Sequence, residues 1–134
     1  MSTPSPLPAF EAPDLLNWFS QADDGHLDHL HFGVIAFDAE QVVRRYSRTE
    51  AEMAGFSQAG ALGQQVFVEL APCMNNFMVA GRFEEAGASG QSIDEILPYV
   101  LTFRMRPTRV RLRLLGPAAS GLRYIAIDRS GATA

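Results

Sequence analysis

The sequence predicts an α+β domain: an antiparallel five-stranded sheet with short helices and one longer connecting helix. Three observations lead there. Residues 32–37 and 42–46 are apolar runs of strand character, and three more, 96–105, 108–115 and 122–128, fill the last third. Between the two groups lie short stretches that open on a capping residue and close on glycine. Strands, then helices, then strands again gather the helices on one face of an antiparallel sheet.

Each element has its own signal. Four prolines within the first 13 residues make the N-terminus an extended, loose arm. Asp14 opens a brief helix over residues 14–19, DLLNWF. The DAEQ stretch between the first two strand runs has the length and polarity of a hairpin loop. TEAEMAG (residues 49–55) and SQAGALG (residues 57–63) each read as one or two helical turns, and Val66–Leu70 as a further turn before Pro72. The longest helical pattern covers residues 76–88, with Phe77, Val79 or Ala80, and Phe83 about a turn apart. GASG ends it, and RMRPTR supplies the turn between two late strands. Within residues 108–115, Val110, Leu112 and Leu114 face one way and Arg109, Arg111 and Arg113 the other, which assigns the arginines to a solvated strand face. Residues 1–22 form an arm or cap with a short helix, and residues 23–130 the domain proper.

Composition bounds the function. A chain of 134 residues supports one core, and 47% apolar with 19% charged residues is the range of a globular rather than a disordered chain. A net charge of −4 offers nucleic acid no bulk attraction. No apolar run approaches the ~18 residues that cross a bilayer, and the N-terminus lacks the basic-then-apolar plan of a secretory signal. With a single cysteine no internal disulfide can form, so a reducing cytoplasm is the expected compartment.

That cysteine, Cys73, follows Pro72 directly. It admits two readings: a small buried hydrophobe, or a covalent anchor or nucleophile. His26, His29 and His31 fall three and two apart, a poor spacing for one helical face and without a clear fourth ligand, so they are read as structural or solvent-facing rather than as a metal site.

The order of elements is that of a PAS domain, and three stretches narrow it further. DDGHLDHLHFG before the first strand, APC at residues 71–73 and FRMRPTRV at residues 103–110 resemble the photoactive yellow protein family, small bacterial blue-light receptors, in order and in spacing. The similarity runs from about Asp23 to Arg129, with one apparent single-residue insertion between Cys73 and Tyr99. It implies that Cys73 holds p-coumaric acid (4-hydroxycinnamic acid) as a thioester and that Tyr46 and Glu50 hydrogen-bond its phenolate. It implies that Met105 lies beside the chromophore and helps its thermal return, with Tyr99, Leu101 and Phe103 as pocket-side strand positions. Val66 and Pro72 complete the expected lining. It further implies a receptor rather than an enzyme, without metal, nucleic acid or membrane, a monomer or weak dimer that signals to an unidentified downstream protein.

The residue chemistry is compatible with this. Tyr46 and Glu50 are four apart at the entry to a helical turn, so both side chains can point at one atom. A phenol and a protonated carboxyl that both donate to a phenolate would hold an anionic ring in a dry pocket, and burial beside a negative charge favours the protonated form of Glu50. Isomerisation by light would draw that proton away and leave an uncompensated buried carboxylate, costly enough to bias a two-state element. The loose N-terminal arm is then the part expected to detach.

Four positions depart from the family's prototype. Ala54 stands where it has threonine, Phe56 where it has arginine, Leu101 where it has phenylalanine and Phe103 where it has tyrosine. Two other functions compete: a PAS module that senses a ligand or protein without a chromophore, and a thiol redox sensor, which lacks a resolving cysteine. No flavin-type motif surrounds Cys73.

Overall fold

The structure is a computed structural model that describes residues 7–102, 107–118 and 120–130. Strands β1 (Gly33–Phe37), β2 (Val43–Tyr46), β3 (Ile93–Leu101), β4 (Thr108–Gly116) and β5 (Arg123–Asp128) form one sheet in the order β2-β1-β5-β4-β3. Every neighbouring pair is antiparallel. Helices α1 (Leu15–Gln21) and α2 (Asp24–Leu27) precede the sheet; α3 (Arg48–Ala54), α4 (Gln58–Ala61) and α5 (Ala80–Ser89) join β2 to β3. Between α4 and α5 run a π-helical turn, Val66–Leu70, and a 3-10 turn, Pro72–Met74. The α+β reading and the five strands hold, with β3 starting at Ile93 and β5 at Arg123.

The period of two sorts the sheet into two faces. Ile35 and Phe37 of β1, Leu97 and Leu101 of β3, Val110, Leu112 and Leu114 of β4, and Ile125 and Ile127 of β5 join a core with Val66, Phe67, Met74 and Phe83. Phe37 meets Phe67 and Phe83 edge to face, with centroids 5.4 and 5.0 Å apart, contacts worth ~0.5–1.5 kcal/mol each beyond the area they bury. Val34, Ala36, Leu115, Tyr124 and Ala126 point the other way, into a second core. That second core corrects the expectation of a loose arm. From Leu7 onward the N-terminal segment lies on the sheet, burying Phe10, Leu15 and Phe19, and Phe19 stacks on Tyr124 at 4.6 Å.

The arginine face is corrected with it. Arg109 is exposed, but Arg113 is buried: its guanidinium donates to the Phe10 and Ala12 carbonyls and, through two nitrogens, to Asp94. Arg111 bridges Asp128 and Glu11. A strand face rich in arginine is here a docking face for backbone carbonyls, because the guanidinium supplies several donors in a fixed fork.

The long helix begins later than its apolar spacing suggests. Asn76 accepts from the Met78 and Val79 N–H groups through its side-chain oxygen, a local turn that competes with helix. Helix α5 therefore starts at Ala80, and Phe77, expected on the inner face, is 92% exposed. Pro98 sits inside β3 without penalty because β3 is the edge strand.

Candidate functional site

Ser47 is the residue that aims the site. It caps α3, its hydroxyl accepting from the Glu50 N–H, and the same oxygen accepts from the Val34 N–H on β1. Its own N–H donates to the Val34 carbonyl. The sequence Ser47-Arg48-Thr49-Glu50 has the form of a capping box, in which the glutamate would reach back to the cap N–H. Here that N–H is already used, and the Glu50 carboxyl turns inward. It lies over Gly33, where an ideal Cβ would stand 2.0 Å from Oε1.

Glu50 is fully buried, and its partner is Arg129, just past β5. Nη1 donates to Oε1 at 2.7 Å and Nη2 to Oε2 at 3.0 Å, a two-pronged pair whose arginine side chain is 11% exposed. Burial pushes the Glu50 carboxyl above its ordinary range, while the Arg129 hydrogen bonds and charge pull against that rise. Tyr46, the last residue of β2, is buried beside them. Burial raises its phenol well above the ordinary value, the Glu50 charge adds to the rise, and Arg129 opposes it. Tyr46, Glu50 and Arg129 are thus one electrostatic group. A carboxylate formed on Glu50 has a cation in place, which corrects the expectation that it would be uncompensated.

Cys73 sits in the 3-10 turn behind an exposed Pro72, its side chain half-buried against the core that contains Tyr46, Val66 and Leu101. Its backbone is held independently of its sulfur. The Tyr99 hydroxyl on β3 donates to the Cys73 carbonyl, and the Asn76 amide donates to that hydroxyl. Tyr99 and Leu101 are on the core face of β3. Ala54 is buried one turn after Glu50 on α3. Phe56, beyond the left-handed Gly55, is 40% exposed. Phe103 and Met105 lie outside the described residues.

The structure gathers Tyr46, Val66, Cys73, Tyr99 and Leu101 at one core, with Glu50 beside Tyr46; Arg129 and Asn76 had no part in the sequence reading. A signal for Arg129 was present: Ile125 and Ile127 face that core, and a period of two carries the same face to position 129. Asn76 offered none, since its role depends on Tyr99 from a distant strand. Among the described residues, no three His, Cys, Asp or Glu side chains are grouped to hold a metal, and no helix is long and apolar enough to cross a membrane.

No family model matches the sequence. The chain is 30% identical over 105 residues to the photoactive yellow protein of Rhodothalassium salexigens, covering 78% of this chain and 83% of that one. The photoactive yellow protein of Halochromatium salexigens matches at the same identity and coverage. Among solved structures, the photoactive yellow protein domain of the sensor histidine kinase Ppr from Rhodospirillum centenum superposes with a TM-score of 0.77 at 29% identity, over 84% of this chain and 97% of that domain. The PAS domain of the RpfR quorum-sensing receptor of Cronobacter turicensis, at 14% identity and a TM-score of 0.60, shares the fold. Shared sequence over most of the chain and a shared PAS architecture agree: this chain belongs to the photoactive yellow protein family.

Proposed function

We propose that the chain is a cytoplasmic blue-light receptor that carries p-coumaric acid as a thioester on Cys73, with residues 23–130 as the sensory unit and residues 1–22 as its cap. One observation supports this above the others: the lone thiol borders the same apolar core as Tyr46, and a fully buried carboxyl, Glu50, lies beside that phenol. Those residues fit an aromatic acid held covalently at one end and by hydrogen-bond donors at the other. When bound, the coumaroyl group supplies a light-driven trans-to-cis isomerisation.

The chain supplies the rest. Cys73 Sγ anchors, and the Tyr99 and Asn76 contacts keep its backbone in place while the side chain is loaded. The raised phenol of Tyr46 stays protonated and donates. Glu50, raised by burial, holds a proton it can release to an anion in the pocket. Val66, Leu101 and the buried Ala54 keep water away from that proton, with Phe103 and Met105 assigned to the same lining on family resemblance. The output is a change of conformation passed to a downstream protein, without enzymatic turnover.

The test is direct. Pigment-free protein is mixed with activated p-coumaric acid, and its visible spectrum and intact mass are recorded. A yellow product heavier by one coumaroyl group, absent from Cys73→Ser, supports the reading. A colourless, unmodified protein overturns it in favour of a PAS module that senses without a chromophore.

A further inference from the structure

We propose that Glu50 has two stations and that Arg129 is the second: a built-in counter-cation that takes the carboxylate whenever Glu50 is ionised, in competition with the pigment site. The inference rests on the photoreceptor reading for the first station, the pigment site, and on geometry alone for the second.

The pair is built. The two terminal guanidinium nitrogens each donate to one carboxylate oxygen, at 2.7 and 3.0 Å, with Glu50 wholly buried and Arg129 nearly so. Such a fork is the geometry in which arginine binds carboxylate most strongly. The place is kept open by Gly33, since any side chain there would occupy the position of Oε1. Among the described residues, the groups whose charge couples to Glu50 are Tyr46 at the end of β2 and Arg129 after β5, and the carboxyl lies against Gly33 of β1. Tyr46 is a neutral donor. Arg129 is therefore the cation that compensates the carboxylate.

The two stations suit the two protonation states. A protonated Glu50 is a donor and serves an anion beside Tyr46. When it gives up the proton, its O–H bond breaks, a new O–H bond forms on the accepting oxygen, and the electron pair stays on Glu50. It is then an acceptor only, and the fork of five N–H donors on Arg129 is its better partner. Net charge is unchanged, but the negative charge has moved toward the end of β5. Removing one member of a buried pair leaves the other uncompensated, so the ionised state should depend on Arg129 and the protonated state should not.

The experiment uses the full chain labelled with ¹³C at glutamate carboxyls. In pigment-free protein, the Glu50 signal, identified by its loss in Glu50→Gln, is titrated in wild type, Arg129→Gln and Arg129→Lys. The midpoint should rise in Arg129→Gln and fall part of the way back in Arg129→Lys, which restores charge without the fork. Arg129→Met, which removes the cation and keeps the carboxyl buried, should raise it too and serves if Arg129→Gln fails to fold. Equal midpoints in wild type and either variant without the cation overturn the proposal. In pigmented protein, the bleached state of Arg129→Gln should return to yellow about tenfold faster, one pKa unit being a factor of ten; an unchanged return overturns the second station. If no variant takes up pigment and the midpoint still moves, the photoreceptor reading fails while the Arg129 pairing stands.

Discussion

Gly33 and Glu50 are fitted to each other across the boundary between sheet and helix: the Glu50 carboxyl fills the place where a side chain at position 33 would begin, 2.0 Å from Oε1. Gly33 matters here for room. It is buried along with its strand neighbours Val34 to Phe37, and a β-branched residue at 33 would suit the strand while closing the site.

Gly33→Ala should therefore destabilise the pigment-free protein by about 1–3 kcal/mol, the usual range for forcing extra volume into a packed interior. Gly87→Ala is the control. It lies within α5 with nothing near its missing Cβ, so replacing glycine there should stabilise by about 0.5–1 kcal/mol. Denaturant unfolding of the two variants gives the comparison, and equal midpoints would show that Glu50 moves aside freely.

The titration of Glu50 has a sign that can be checked. Burial raises its carboxyl, so between the ordinary glutamate value and the folded value the native chain holds a proton that the unfolded chain has lost. Unfolding free energy must then fall as pH rises through that window, with the penalty absent below it and complete above it. Asp38 runs the other way, since the Val42 N–H that donates to it holds that carboxyl low and its contribution is lost in acid. The difference in stability between wild type and Glu50→Gln isolates the one group. It should shrink in favour of Gln as pH rises; a difference that grows in favour of wild type would mean that the Arg129 pair outweighs burial and Glu50 is ionised in the resting fold.

How much of this was legible in the sequence depends on range. The strand faces were, because Val110, Leu112 and Leu114 obey a period set by the backbone itself, and so was the glycine stop at Gly55, whereas the helix it ends is capped by Ser47, two residues before the Thr49 at which the sequence reading opens it. The fate of the arginine face was not. Arg113 is buried by carbonyls from Phe10 and Ala12, a hundred residues away in the chain, and alternation records that a side chain leaves the core without recording what covers it. Asn76 shows the local counterpart. An apolar spacing of one turn placed Phe77 inward, and a single side-chain oxygen capturing two N–H groups turned it to solvent.

Arg113 makes a prediction of its own. Its guanidinium ties the N-terminal segment and Asp94 to β4 from a buried position, and hydrogen bonds to a charged group are worth about 1.5–3 kcal/mol. Arg113→Ala should cost at least that much and raise amide exchange selectively over residues 10–19, while exposed Arg109→Ala should stay within about 0.5 kcal/mol of wild type. Uniform exchange across the chain in Arg113→Ala would show that Phe10, Leu15 and Phe19 hold the segment without it.

Cys73 can be altered without disturbing its surroundings, because Tyr99 grips its carbonyl rather than its sulfur. Cys73→Ser should fold with a stability within about 1 kcal/mol of wild type, a small swap at a half-buried position, and should carry no covalent pigment. Tyr99→Phe should do the reverse, leaving the thiol but freeing the turn, so that pigment attaches and its band broadens. A Cys73→Ser protein that still gains the mass of a coumaroyl group would remove the anchor from this position.

On the photoreceptor reading, the departure at Ala54 bears on the colour of the dark state. Ala54 is buried on the same helix face as Glu50, one turn on, so a hydroxyl at that position would be presented toward Tyr46 and Glu50. Alanine supplies none. A neutral hydrogen bond is worth about 0.5–1.5 kcal/mol, and a loss of that size in the network around a phenolate corresponds to up to about one pKa unit. The burial that raises Tyr46 and Glu50 acts on any phenolate beside them in the same sense, favouring the neutral form. Both effects push the bound pigment toward protonation. Dark pigmented protein titrated from mildly alkaline to mildly acidic pH should exchange its yellow band for a near-ultraviolet one before the protein unfolds. Ala54→Thr, by returning a donor to the network, should move that exchange to lower pH. A yellow band that holds constant over the whole range, alike in the two proteins, would mean that Tyr46 and Glu50 stabilise the anion without help from position 54.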